Sequence, residues 1–544
     1  MQERLQKLFE RIETLPLTLG SLVTTFTAIV FVRIGIENYL ESFPFRFADY
    51  YYYQFTDFFL SFLFTFLAIL PIIVWAGKTT ISRASPLALL SFLIIWTPPT
   101  IDEIVSRGAG LWSFYIFDSL SGILHRYLTF FGDQPDLGIT YGIRIEIALV
   151  VILIAWYAIT RTRSITRSVI SALFLYTVLF VVATLPSAVT ILTLGISKGY
   201  FAVTEFDVAA LMLTPQTLFG LNPPGIESVL NINVSLIFVP LVTFLIIILG
   251  FLFFRSQTSS ILKNIRIPQL LYHWGLFLLG GATVSIYEQS TFILNIFHIL
   301  GVFSMLLAVS CAWLTSVVVN DLRDIAIDRI SNPHRPLVTG AIDTSTYQTI
   351  GILLFGASIL LAGLVSTQAA LLLVLYQALA YLYSADPLRL KRLPIVATAF
   401  AAMASLLILF IGFIVFSTEK NISALPNSIP LLLFFAYLTI IPIKDFKDIS
   451  GDRADGVGTL PVLWGEARAK HFIGAAIFTI FTLSPFILSL RSLSLLGLFF
   501  GTVGYWILQL SSVDHRYFSY RKLPGWFVLL AASYGAFLAT ALTK

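Results

Sequence analysis

Apolar runs of about bilayer length, separated by short polar and basic stretches, recur along the whole chain. A helix crossing a bilayer core needs ~20 mostly apolar residues. In the first half such runs fall at 17–38, 56–77, 86–99, 143–160, 168–194 and 229–254. A seventh run, 109–131, is interrupted by Asp118, His125 and Arg126, and is expected to lie along the outer interface rather than to cross. The polar-turn segment 195–228 then reads as an external loop. Met1 to Thr14 is an amphipathic mixture, and the apolar run after it continues past Phe31, too long for the core of a signal peptide, so it reads as a retained first span. After the polar, basic, Ser-rich stretch Arg255 to Arg266, nine further spans are predicted, at 268–287, 296–320, 346–365, 367–384, 394–416, 428–444, 470–489, 491–511 and 524–542.

Charge sorts along this pattern. With nine spans from 268 onward, seventeen Lys and Arg residues fall on one face and three (Lys420, Arg491, Lys544) on the other. Cytoplasmic loops carry the excess of Lys and Arg, so the charged loops are expected to face the cytoplasm. Composition agrees with a polytopic membrane protein: of 544 residues, 57% are hydrophobic and 12% charged, and the mean hydropathy is +0.89. Soluble domains run near ~25% charged. The net charge of +5 is spread between apolar runs, not pooled as a nucleic-acid footprint would be, and one cysteine excludes an intrachain disulfide.

Two acidic clusters sit where spans end on the charged face. In Asn320-Asp321-Leu-Arg-Asp324-Ile-Ala-Ile-Asp328, the residues Asn320, Asp324 and Asp328 are four apart and share one helix face. In Lys444-Asp445-Phe-Lys-Asp448-Ile-Ser-Gly-Asp452-Arg-Ala-Asp455, Asp448 and Asp452 repeat the spacing. Stacked carboxylates at a hydrocarbon edge are costly unless a cation neutralises them. Mg²⁺ takes one or two carboxylates and fills its shell with water and phosphate oxygens. Two such pairs therefore suggest a Mg²⁺–diphosphate site, against the simpler reading of acidic residues decorating charged loops. The intervening loop, Tyr383-Ser384-Ala-Asp386-Pro387-Leu-Arg389-Leu-Lys391-Arg392, offers three cations for the remaining phosphate oxygens.

The string NDLRDIAIDRISNPHRPLVTG resembles the first Asp-rich motif of the UbiA superfamily of membrane prenyltransferases, with Asn332, Arg335, Pro336 and Gly340 matching its tail. KDFKDISGDRADGVGTLPVLWG is similar to the second motif, and YSADPLRLKR to the loop between them. The resemblance covers roughly 265–544. It implies an all-α integral-membrane protein in which a nine-helix bundle (263–544) follows an N-terminal multi-span domain of about six spans (1–262), to which it assigns no role. It also implies that Asp324, Asp328, Asp448 and Asp452 hold Mg²⁺ bridging a prenyl diphosphate, that Asn320, Arg335, Arg389, Lys391 and Lys444 contact the diphosphate, and that Tyr383 lies near the reacting carbon.

The implied partners are a prenyl diphosphate, a membrane-accessible aromatic or lipid acceptor, and the surrounding lipids. Two alternatives stand beside prenyl transfer: a phosphoribosyl-type transferase of the same superfamily, and a non-catalytic lipid-diphosphate binder or transporter. The short spacing from Asp328 to Arg335-Pro336 and the four intact aspartates favour the prenyl reading. The chain departs from the family at the start of its first helix, Arg266-Ile-Pro268-Gln269, on the acceptor side. His334 reads as a solvated loop histidine, Cys311 as packing, Asp321 and Asp445 as lying off the acidic faces and supporting the ligands from behind, and Asp102/Glu103 beside Pro98-Pro99 as a turn.

Overall fold

A computed structural model describes residues 2–40, 48–106, 115–132, 139–215, 219, 225–288, 295–454 and 456–542. The chain divides into two compact units: Met1–Thr217 with Leu221–Arg255 and Leu294–Gly301, and Leu218–Gly220 with Ser256–Ile293 and Val302–Lys544. Every named element among the described residues is a helix, and the only bridge among them joins Ser512 and Ser519. Among the described residues, thirteen helices are long and apolar enough to cross a membrane.

The first unit holds α1 (Gln2–Glu13), α2 (Leu19–Leu40), α3 (Ala48–Gly77), α4 (Ile81–Ser91), α5 (Thr97–Ser106), α6 (Leu120–Leu128), α7 (Tyr141–Thr162), α8 (Ile165–Ala183), α9 (Leu185–Lys198), α10 (Glu205–Met212) and α11 (Ile226–Phe253). Six of the thirteen spans lie here: α2, 51–77 of α3, the composite 81–105, α7, α8 and α11. Their core centres on α3, which packs against α2, α4, α7, α8 and α11. Phe26, Phe66, Phe92 and Leu175 are among its buried side chains.

Three expectations change in this unit. The run 168–194 is two helices, because Thr184 turns out of helical geometry (φ −103°, ψ 9°) and Pro186, in the first turn of α9, has no amide hydrogen to bond backwards. The run 86–99 extends to 81–105 through a 3₁₀ turn at Phe92–Trp96. Asp102 and Glu103 are helical in α5, where Pro98 and Pro99 are accommodated at the start, and Asp102 Oδ1 accepts from the Gly142 amide at 2.7 Å. Of 109–131, residues 107–114 lie outside the described set; the rest contains nine-residue α6, too short to cross, with Arg126 Nε on Asp118 Oδ2 at 2.6 Å. In the segment expected to be an external loop, α10 is helical, while 216–218 and 220–224 are not described.

The second unit begins within α12 (Arg255–Lys263), so the polar boundary stretch is itself largely helical. There follow α13 (Ile267–Tyr287), α14 (Ile296–Arg323), the short α15 (Ile325–Ser331) and α16 (Pro336–Thr339), α17 (Thr344–Gly363), α18 (Thr367–Ser384), α19 (Pro394–Phe416) and α20 (Ser428–Ile440). Short α21 (Ile449–Ala454) and α22 (Leu460–Trp464) precede α23 (Glu466–Ile487), α24 (Ser494–Leu510) and α25 (Leu523–Leu542). All nine expected apolar segments from 268 onward are helices. Packing runs α13 to α19, α19 to α20, α20 to α23, α23 to α24, α24 to α25, and α25 back to α13, closing a ring. On α14, the Ser304 hydroxyl donates to the Leu361 carbonyl of α17, and Trp274 of α13 donates to Ser310 at 2.9 Å.

The α13–α19 contact depends on two glycines. A Cβ on Gly412 would stand 1.9 Å from the Phe277 carbonyl oxygen, and one on Gly280 would stand 2.1 Å from that of Leu409. Both obstacles are backbone, so neither can swing aside. Gly412→Ala is expected to cost about 1–3 kcal/mol of stability, read as a lower thermal midpoint in detergent; an unchanged midpoint would show that the two helices separate freely.

Candidate active site in the second unit

The first acidic motif straddles a break between α14 and α15. Asp324 leaves helical geometry (φ −106°, ψ 17°), yet its amide bonds the Asn320 carbonyl at 3.0 Å and its carbonyl accepts from Asp328 at 2.8 Å. The four-residue register of Asn320, Asp324 and Asp328 therefore survives the break. The second motif repeats the device. Asp448 (φ −108°, ψ 7°) ends the 3₁₀ segment Ile441–Lys447, and its carbonyl accepts from the Asp452 amide at 2.9 Å. Helices α15 and α21 pack against each other, which brings the two motifs together.

Each carboxylate meets a different environment. Asp324 is buried against the interhelical loop: Arg389 Nη2 donates to Oδ1 at 3.0 Å and Lys391 Nζ grips both oxygens. Arg389 is carried there in left-handed geometry (φ 41°), its amide bonded to the Ala385 carbonyl at 2.9 Å. Asp328 is also buried, ion-paired with Arg335 and accepting from Asn332 at 3.1 Å. Burial holds its carboxyl above the usual range, with Arg335 opposing. Asp448 is about a third exposed and has Lys447 at 3.7 Å. Asp452, with Thr459 Oγ1 at 3.4 Å, is pushed up to about 7 by burial and then by the neighbouring carboxylates Asp445 and Asp448. Asp455 lies outside the described residues.

Beside these aspartates opens a small cavity lined by Tyr383, Lys391, Thr398, Lys444, Asp445 and Thr459, among others. Lys444 Nζ donates to the Tyr383 hydroxyl at 3.1 Å and stands 5.2 Å from the ring centre. Asn320 is reached from α18 by the Ser384 hydroxyl at 3.4 Å. The structure thus gathers Tyr383, Lys391 and Lys444 around one opening. It turns Arg335 away from it, onto Asp321 (2.9 Å) and Asp328, with the guanidinium almost fully buried. His334 is exposed and Cys311 buried, as expected.

The donor set fits a hard divalent cation. Oxygen donors dominate, and the acidic second motif has carboxylates close enough to raise Asp452, a repulsion that a cation would relieve. Among the described residues no three acidic, histidine or cysteine side chains already converge as a closed metal cage. Mg²⁺ with one or two carboxylates and phosphate oxygens needs none.

Sequence reasoning gave Asp321 a supporting place behind the acidic face but none of its partners. Asp321, 2% exposed, accepts from Asn264 Nδ2 at 2.7 Å, Arg266 Nη2 at 2.7 Å, Arg335 Nη1 at 2.9 Å and the Tyr347 hydroxyl at 3.0 Å. It ties the chain before α13 to the end of α14, the loop after α15 and the start of α17. Asn264 and Arg266 read as boundary polarity and Tyr347 as the start of a span, so the only local signal was an aspartate off the acidic face.

The profile of the UbiA prenyltransferase family matches residues 271–541. Over 237 residues the chain is 31% identical to a digeranylgeranylglyceryl phosphate synthase of Thermococcus sibiricus, covering 41% of this chain and 75% of that one. Over 171 residues it is 33% identical to the synthase of the same name from Sulfurisphaera tokodaii, covering 31% of this chain and 59% of that one, less than two thirds of its length. A solved UbiA homolog from Archaeoglobus fulgidus bound to GPP and Mg²⁺ aligns at 20% identity and a TM-score of 0.41, over 52% of this chain and 99% of that one.

Proposed function

Since the chain belongs to the UbiA prenyltransferase family, we propose that residues 263–544 catalyse Mg²⁺-dependent transfer of a prenyl or polyprenyl group from its diphosphate to an aromatic or lipid acceptor in the membrane. The residues before 263 form a separate multi-span domain in this reading. One observation carries it: α15 packs on α21, which brings the two acidic motifs together, and Lys391, which grips Asp324, lines one cavity with Tyr383, Lys444 and Asp445. With seventeen basic residues against three, the site faces the cytoplasm.

Asp324, Asp328, Asp448 and Asp452 would hold the metal. Bound there, Mg²⁺ supplies neutralisation of the diphosphate oxygens. The C1–O bond of the allylic diphosphate breaks, its electron pair leaving with pyrophosphate, and the acceptor's nucleophile bonds C1 and loses its proton. Lys444, Lys391 and Arg389 stabilise the charge gathering on the leaving group, Asn320 assists at the first motif, and Arg335 acts there through Asp328. Tyr383 offers its ring toward positive charge developing at C1 and its hydroxyl to Lys444. The apolar helices around the site keep water from that carbon.

The full-length protein in nanodiscs, given a series of prenyl diphosphates and membrane lipid and quinone extracts, is expected to release pyrophosphate with Mg²⁺ and not with EDTA, and mass spectrometry is expected to find a prenylated acceptor. Labelled prenyl diphosphate recovered unchanged under every condition would discard the transferase reading in favour of a binder or transporter. Tyr383→Phe removes one hydrogen bond to Lys444, so kcat/KM should fall about threefold to tenfold. Equal initial rates would release the Tyr383 hydroxyl from that role.

A further inference from the structure

The first unit contains a second polar site, within its helical core and lined by none of the residues assigned to catalysis. A partly open cavity lies among α2, α3, α4, α7 and α8. Its wall is mainly apolar, with the rings of Phe58, Phe62 and Phe92, and its polar groups are Arg33, Ser61, Thr65, Ser91 and Glu146. Ionisable side chains inside apolar spans are costly and need an explanation.

The polar groups do not balance. Arg33 is nearly fully buried, ion-paired one helical turn away with Glu37, and its guanidinium lies 5.5 Å from the Phe58 ring centre. Arg33 also acts electrostatically on Glu146, so one cation faces two carboxylates. Glu146 lines the same cavity and makes no hydrogen bond or ion pair to the described residues. The hydroxyls add no positive end. Thr65 Oγ1 donates to the Ser61 carbonyl at 2.8 Å and Ser91 Oγ to the Ala88 carbonyl at 2.7 Å, so both protons are committed to their own helices and only lone pairs remain. The opening therefore offers hydrogen-bond acceptors, one surplus carboxylate and aromatic faces.

We propose that this cavity binds an amphipathic organic cation, a protonated amine carried on an apolar or aromatic body, with the ammonium on Glu146 and the body among Phe58, Phe62 and Phe92. An ammonium is all donor and no acceptor. Its charge offsets the half-buried carboxylate, and aromatic faces attract it further. A carboxylate ligand would face Glu146 with like charge, and a neutral alcohol would leave that charge uncompensated.

The test needs no turnover, so its result is independent of the transferase reading. Full-length protein in nanodiscs is titrated with phenylbutylamine, phenylbutanol and phenylbutanoate by calorimetry, with empty nanodiscs as reference. The amine is expected to bind about tenfold or more tightly than either analogue, and Glu146→Gln to bring it to the level of the alcohol. Equal binding of amine and alcohol, showing that Glu146 carries its own proton, overturns the proposal, as does undiminished amine binding by a folded Glu146→Gln. Should that variant fail to fold, Ile94→Trp fills the cavity from its wall and leaves the charges in place; amine binding is then expected to vanish, and its retention overturns the assignment.

Discussion

Asp324→Asn and Asp448→Asn are each expected to lower Mg²⁺-dependent pyrophosphate release by about a hundredfold or more, with the protein still folded and membrane-inserted. The two losses should differ in kind. Asp324 is buried and held by Arg389 and Lys391. Its neutralisation frees two cations as well as a ligand, so added Mg²⁺ should not restore the rate. Asp448 is about a third exposed and meets only Lys447, at 3.7 Å, among the ion pairs of the described residues. Its loss should therefore show partly as a higher Mg²⁺ requirement. Initial rates over a Mg²⁺ titration separate the two patterns. Undiminished release by both variants would remove the assigned metal roles.

Asp321→Ala should be the most destabilising single change in the second unit. It removes the shared acceptor of Asn264, Arg266, Arg335 and Tyr347. Breaking a buried ion pair from one side costs about 3–5 kcal/mol, because the partner charge stays buried without its counter-ion. Here Arg335 keeps Asp328, whereas the described ion pairs of Arg266 contain only Asp321. Asp321→Asn retains an acceptor and should cost less. Thermal midpoints in nanodiscs check both, and an Asp321→Ala midpoint equal to that of the unsubstituted chain would deny the hub its role. Activity should fall with stability, since the same residue fixes the end of α14 that presents Asp324.

The two predictions mark where sequence reading succeeds and where it stops. Asp324 and Asp448 were visible because a four-residue spacing is a one-dimensional signal of a shared helix face. The helix break at each of them was not, although both adopt nearly the same backbone geometry (φ −106° and −108°). Arg335 meets partners that its motif position did not suggest. Its motif position suggested a phosphate contact, whereas its guanidinium is spent on Asp321 and Asp328.

The sequence by itself determined the spans and the acidic motifs, because a bilayer demands about 20 consecutive apolar residues and a helix face demands a fixed spacing, both local properties. Tertiary structure alone decided which charges meet. Lys391 lies 67 residues from Asp324 and Arg266 lies 55 from Asp321. The meeting of α15 and α21 and the lining of the Glu146 cavity are likewise set by how the helices pack. Desolvation and charge pairing act between whichever side chains that packing juxtaposes, and no local pattern along the chain encodes those neighbours.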